Sequence, residues 1–194
     1  MKNTLIVNLF GGPGTGKSTA AAYIFSRLKM VGVDIELVTE FTKDKVWEDN
    51  KKVFNNQLYI TGKQSFKISR VFGEVDVIIN DSPILNGAVY TDKRYLKSAI
   101  VEEFMSYGDQ NLNIFLNRVS EYNPNGRNET EEDAILIDEK LKSILRLEDI
   151  ESDYDEIPYI EVDADLDGCN KIIELIVRVL GYINVENVEE NLDN

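Results

Sequence analysis

Residues Gly11 to Ser18 read G-G-P-G-T-G-K-S, a complete match to the spacing G-x-x-x-x-G-K-[ST]. Glycines so placed let the backbone curl until successive N–H groups point inward, where they bind the oxygens of a β-phosphate. Gly12, Pro13, Gly14, Thr15 and Gly16 would surround the phosphates with main chain, and Lys17 would reach the β- and γ-phosphates. The Ser18 hydroxyl is suited to ligate Mg²⁺. Thr19, in the first turn of the helix that follows, is a candidate for an α-phosphate contact. That helix adds the positive end of its dipole. Together these residues imply binding of a nucleoside triphosphate.

Two carboxylates stand where strands end, Glu40 and Asp81. Asp81 closes the run Val77-Ile78-Ile79-Asn80, the placing of an acid that holds Mg²⁺ through water. A carboxylate there could instead take the proton of an acceptor hydroxyl, and Glu40 competes for that role or for orienting the acceptor. Arg118 and Arg127 flank the turn Asn123-Pro124-Asn125-Gly126. The two-pronged guanidinium suits phosphate oxygens, so residues 118–130 read as a lid that closes on the nucleotide and excludes water. Further along, Gln57, Gln64 and Arg70 carry groups that read a base or sugar, and Tyr59 carries a ring that stacks on one. The same residues also fit an amphipathic surface helix.

These residues need rigid elements to bring them together. Strand patterns fall at Thr4–Phe10, Asp34–Glu40, Val75–Asn80, Asn111–Leu116 and Ile157–Val162. Helical patterns fall between them, at Ser18–Met30, Thr42–Glu48, Asn55–Phe72, Lys93–Ser106, Glu131–Leu147 and Asn170–Leu180. Alternation of strand and helical signals argues for an α/β architecture with a parallel sheet. In such a sheet the ligand lies beyond the carboxyl ends of the strands, where the phosphate loop, Glu40 and Asp81 all fall. Thr130 with Asp133 forms a capping pattern for the helix after the lid. No linker or repeat divides the chain, so residues 1–182 read as one domain and 183–194 as an acidic tail.

Composition removes whole classes of chemistry. The 194 residues contain no histidine, which excludes Ser-His-Asp and Cys-His catalysis and every histidine-ligated metal. Phosphoryl transfer survives, because it rests on positioning, Mg²⁺, Lys, Arg and a carboxylate. One cysteine, Cys169, permits no disulfide within the chain and fits a reducing cytoplasm. No apolar run reaches membrane-spanning length, and nothing suggests export. A formal charge of −14 disfavours unspecific adhesion to nucleic-acid backbone.

With the phosphate loop, Thr39-Glu40, Asn80-Asp81-Ser82-Pro83 and the Arg118/Arg127 pair assembled, the chain resembles the P-loop kinase group over about Lys2 to Leu180. It is most similar to small phage and bacterial proteins catalogued as AAA-type ATPase domains. That set is itself similar to ribosylnicotinamide kinase domains and to phage kinases acting on hydroxymethyl-pyrimidines such as 5-hydroxymethyluridine. The resemblance implies a three-layer fold with a mostly parallel five-stranded sheet of order 2-3-1-4-5. It also implies ATP with Mg²⁺ as donor, Asp81 or Glu40 as acceptor-side carboxylate, and lid arginines at Arg118 and Arg127. Motor ATPases usually follow the aspartate with a glutamate that activates water, whereas Ser82 stands here, which favours a kinase. The expected acceptor is a nucleoside, a nucleotide or a modified pyrimidine, free or in phage DNA. The alternative is a nucleotide-dependent ATPase or switch acting on a protein partner. The expected setting is the cytoplasm of a bacterium or a phage-infected bacterium.

Overall fold

The computed structural model describes residues 2–47, 51–123, 130–148 and 150–181. Its strands are β1 (Leu5–Phe10), β2 (Ile35–Val38), β3 (Val77–Asn80), β4 (Asn111–Asn117) and β5 (Ile160–Asp163). They form one sheet in the order β2-β3-β1-β4-β5, and every pairing is parallel. The helices are α1 (Lys17–Met30), α2 (Phe41–Trp47), α3 (Gln57–Ser69), α4 (Asn86–Val89), α5 (Arg94–Met105), α6 (Glu131–Leu145) and α7 (Leu166–Val179). The expected α/β class and strand order are those observed. Among the described residues no helix is long and apolar enough to cross a membrane. Residues 124–129 of the expected lid, Arg127 included, and the tail 183–194 lie outside the described residues.

Period-two alternation along β1 divides the core. Val7 and Leu9 face Ala20, Ile24 and Leu28 of α1 and Ile172 and Ile176 of α7. Ile6 and Phe10 face the opposite layer, which includes Ile68 of α3, Ile100 and Phe104 of α5, and Leu141 of α6. Burial on both faces is why these strands read as nearly unbroken apolar runs. One polar row interrupts the second face. Asn8 lies in register with Asn80 and Asn113, and all three are buried. Asn80 donates to Asn8 at 2.8 Å, Asn8 donates to Asn113 at 3.1 Å and to Asn111 at 2.9 Å, and Asn113 donates to the Pro158 carbonyl at 3.0 Å.

That row has a measurable weight. Asn8→Ala leaves the Asn80 amide without its acceptor and the Asn113 carbonyl without its donor, both away from water. Unfolding free energy in urea is expected to fall by about 3 kcal/mol. A loss below about 1 kcal/mol would mean that the row closes up around the gap.

Element ends differ from the sequence reading for local reasons. β5 starts at Ile160 rather than Ile157 because Pro158 has no N–H to give the ladder. α7 starts at Leu166 rather than Asn170, since Asp165 caps it by accepting the Gly168 N–H at 2.7 Å. The expected cap of α6 is present: Thr130 accepts from Asp133 N–H at 3.2 Å, and Asp133 accepts from Thr130 N–H at 3.0 Å.

Candidate active site

Four neighbouring strands deliver their carboxyl ends to one place. β1 runs directly into the phosphate loop, Glu40 follows β2, Asp81 follows β3, and Arg118 follows β4. Gly14 and Gly16 take φ of 78° and 99°, left-handed values that a Cβ disfavours. Thr15 is buried and donates its hydroxyl to the Gly12 carbonyl, tightening the turn. Gly16 caps α1 without a side chain, so the first N–H groups of α1 face the cavity beyond the loop.

Lys17 folds over this loop and donates to the Gly11 carbonyl at 2.6 Å and the Gly12 carbonyl at 2.9 Å. Burial pushes its ammonium below the usual lysine range, against the opposing pull of Asp81, Glu40 and Asp138. Asp81 is 4% exposed. Its Oδ2 accepts from the Ser18 hydroxyl at 2.8 Å, while its Oδ1 is buried with no hydrogen-bond partner among the described residues. Burial drives the Asp81 carboxyl above the usual range, only partly offset by Lys17 and by the Ser18 hydroxyl. An orphaned acid oxygen beside a serine hydroxyl is the donor set that a hydrated Mg²⁺ accepts, so the residues present fit that ion.

The phosphate loop opens onto a cavity of about 530 Å³ whose walls include Lys17, Ser18 and Thr19 at one end. Glu40, Gln57, Gln64 and Asn86 line it as well, together with the aromatic rings of Phe41, Phe54 and Tyr90. Glu40 accepts from the Thr42 hydroxyl. Among the described residues Gln57 has one weak partner, the Thr61 hydroxyl at 3.5 Å, and stays available to a ligand. Gln64 is engaged instead: it is buried, accepts the Phe41 N–H at 3.1 Å and points its amide at Thr39 and Asn80. Tyr59 and Arg70 do not line the cavity. Tyr59 sits on the outer side of α3, edge-on to Phe41 with ring centroids 5.7 Å apart, and Arg70 is exposed at the end of α3. Both lie on turns of α3 that the amphipathic reading gives to solvent.

Sequence reasoning missed Phe54, Asn86 and Tyr90, which come from a short 3₁₀ turn, the four-residue α4 and the cap that follows α4, and carry no periodicity. Asn86 Oδ1 is buried without a partner among the described residues. Asp138 was also missed, although a signal existed. The buried stripe of α6 runs through Ala134, Ile137, Leu141, Ile144 and Leu145, and Asp138 stands one turn after Ala134 on that stripe. It pairs with Arg118 at 3.0 Å, and Arg118 also donates to the Pro13 carbonyl at 2.7 Å.

The chain belongs to the AAA domain family, whose pattern matches residues 6–166. No curated protein matches it in sequence. Among solved structures, a deoxyadenosine kinase from M. mycoides with the products dCMP and a flexible dCDP bound superposes with a TM-score of 0.51 at 21% identity. That match covers 92% of this chain and 100% of the kinase. The same enzyme with bound dATP gives a TM-score of 0.52 at 21% identity over 91% and 100% of the two chains. At this identity the likeness shows the fold alone.

Proposed function

We propose that this chain is an ATP- and Mg²⁺-dependent phosphotransferase that moves the γ-phosphate to a nucleoside-like acceptor. One observation carries the reading: a single cavity is lined both by the phosphate loop and by a carboxylate, two available amides and aromatic rings. A phosphate loop alone would serve any nucleotide-dependent ATPase. The further lining has the character of a base-and-sugar site, with Gln57 and Asn86 to hydrogen-bond a base edge and Phe54 and Tyr90 to cover it. The deoxyadenosine kinase with the same fold supports a nucleoside as the acceptor.

In this reading Lys17 and the loop N–H groups hold the β- and γ-phosphates of ATP. Ser18 and Asp81 hold Mg²⁺, which when bound neutralises charge on the phosphate oxygens. Glu40 faces the acceptor. The acceptor hydroxyl oxygen bonds to the γ-phosphorus, the bond from that phosphorus to the β,γ-bridging oxygen breaks, and ADP leaves with the electron pair. The hydroxyl proton passes to the Glu40 carboxylate. Arg127 serves as the arginine of a lid over residues 118–130, and the catalytic unit spans residues 1–182. A modified base in DNA is a less natural acceptor than a free nucleoside for a chain of charge −14.

A panel of nucleosides, nucleotides and hydroxymethyl-pyrimidine DNA, assayed with γ-labelled ATP, tests the proposal. Label should move to a nucleoside-class acceptor, with little ATP loss when no acceptor is present. Steady phosphate release without any acceptor would instead establish an ATPase or switch. With the acceptor in hand, Glu40→Gln is expected to slow transfer about 10²-fold while ATP affinity holds. A silent Glu40→Gln would move the base role to Asp81.

A further inference from the structure

The outer side of the phosphate loop carries a closed ring of contacts that the chemistry above leaves unused. Asp138 Oδ1 accepts the Gly12 N–H, and Asp138 Oδ2 accepts Arg118 Nη2 at 3.0 Å. Arg118 Nη1 then donates to the carbonyl of Pro13, the residue after Gly12, at 2.7 Å. The two side chains are largely withdrawn from water, at 13% and 18% exposure. The loop is pressed hard against them. A Cβ on Gly12 would stand 2.6 Å from the Ala134 carbonyl oxygen and 2.8 Å from Asp138 Oδ1. A Cβ on Gly14 would stand 2.8 Å from the Tyr122 ring and 3.1 Å from Arg118 Nη1. Neither glycine is demanded by the G-x-x-x-x-G-K-[ST] spacing, which leaves both positions free. Close seating of the loop on α6 supplies the reason at Gly12, and at Gly14 it adds to the left-handed φ.

We propose that Asp138 is a positioning residue which, with Arg118, braces the phosphate loop from behind. The proposal rests on the reading of this loop as an ATP site. The brace ties Gly12 N–H and Pro13 C=O outward, so the loop's remaining N–H groups keep their inward aim before any phosphate arrives. Donors fixed in advance bind an anion without reorganising, which is where such an arrangement acts. In this arrangement Arg118 acts on the phosphates through the loop, by its bonds to the Pro13 carbonyl and Asp138.

Asp138→Asn is the discriminating change, because it keeps the volume but offers one oxygen where the ring needs two acceptors. Calorimetric titration of the full chain with ATP–Mg²⁺ should show affinity about tenfold weaker in Asp138→Asn and in Arg118→Ala. In Arg118→Ala/Asp138→Asn the loss should stay within about twofold of the worse single variant, since the lone amide oxygen is then free for Gly12. Arg118→Lys keeps the charge but lacks the two-pronged reach, so it should share the loss and serves as the test if Asp138→Asn does not fold. Unchanged affinity in the folded single variants, or penalties that multiply in the double variant, would overturn the brace, whatever the melting temperatures do. Failure of the unaltered chain to bind ATP–Mg²⁺ would overturn the nucleotide-site reading itself.

Discussion

Lys17→Ala should lower phosphoryl transfer by about 10³-fold while leaving the fold in place. The ammonium donates to the Gly11 and Gly12 carbonyls, and it is the one cation that the loop itself supplies for the β- and γ-phosphates. Its burial pushes the pKa down, so the charged form is held at a cost in the protein alone. A lysine with a lowered folded pKa detracts from stability at every pH where it is charged, and this ends only above its unfolded pKa. Removing it should therefore leave the melting temperature unchanged or raised, with the deficit confined to ATP affinity and turnover. Parallel calorimetry, melting and labelled-phosphate assays separate the two. A folded variant retaining more than about a tenth of parental turnover would remove Lys17 from the reaction.

The parts legible in the sequence were those fixed by local rules. The phosphate loop declares itself because a backbone that wraps a phosphate needs glycine, lysine and serine at set spacings. The strand order followed from resemblance, and the alternation of buried strand and helix agreed with it. The cap of α6 was visible in Thr130 and Asp133 because both partners lie within four residues. What stayed hidden was long-range. Gln64 carries an amide suited to a base, yet it serves the end of β3 through Asn80 and the start of α2 through Phe41 N–H, partners 16 and 23 residues away. Asp138 reaches the phosphate loop across 126 residues. The start of α7 was masked by Gly168, which reads as a helix breaker. The position needs glycine because a Cβ there would come within 1.9 Å of the Asp163 carbonyl oxygen. Fold class and the phosphate loop were therefore readable, as were the cavity positions of Glu40, Gln57 and Gln64, whereas Phe54 and Asn86, which stand on short irregular turns, were not.

Asp81→Asn should depress transfer about 10³-fold with every acceptor, and should at the same time stabilise the metal-free protein at neutral pH. Asparagine still accepts the Ser18 hydroxyl with its one carbonyl oxygen, so the local geometry survives. It cannot carry the negative charge that draws Mg²⁺ to the Ser18 side of the phosphates, and the Mg²⁺ titration should shift to much higher concentration. The stability effect follows from burial, which raises the folded pKa of Asp81 above its unfolded value. Between those two values the folded chain binds more protons than the unfolded chain, so parental stability falls as pH rises through that interval. Above it the parent carries a buried carboxylate whose Oδ1 meets no hydrogen-bond donor among the described residues. The variant lacks that titration, and its urea midpoint should stay flatter than the parent's as pH rises above the ordinary aspartate value of about 4, and exceed the parent's at neutral pH. Glu40→Gln should reproduce neither the Mg²⁺ shift nor the flattened profile, because the proposed function gives Glu40 to the acceptor and not to the metal. If Asp81→Asn kept its Mg²⁺ dependence and lost activity with some acceptors alone, Asp81 would belong to acceptor recognition and the metal would have to be held elsewhere.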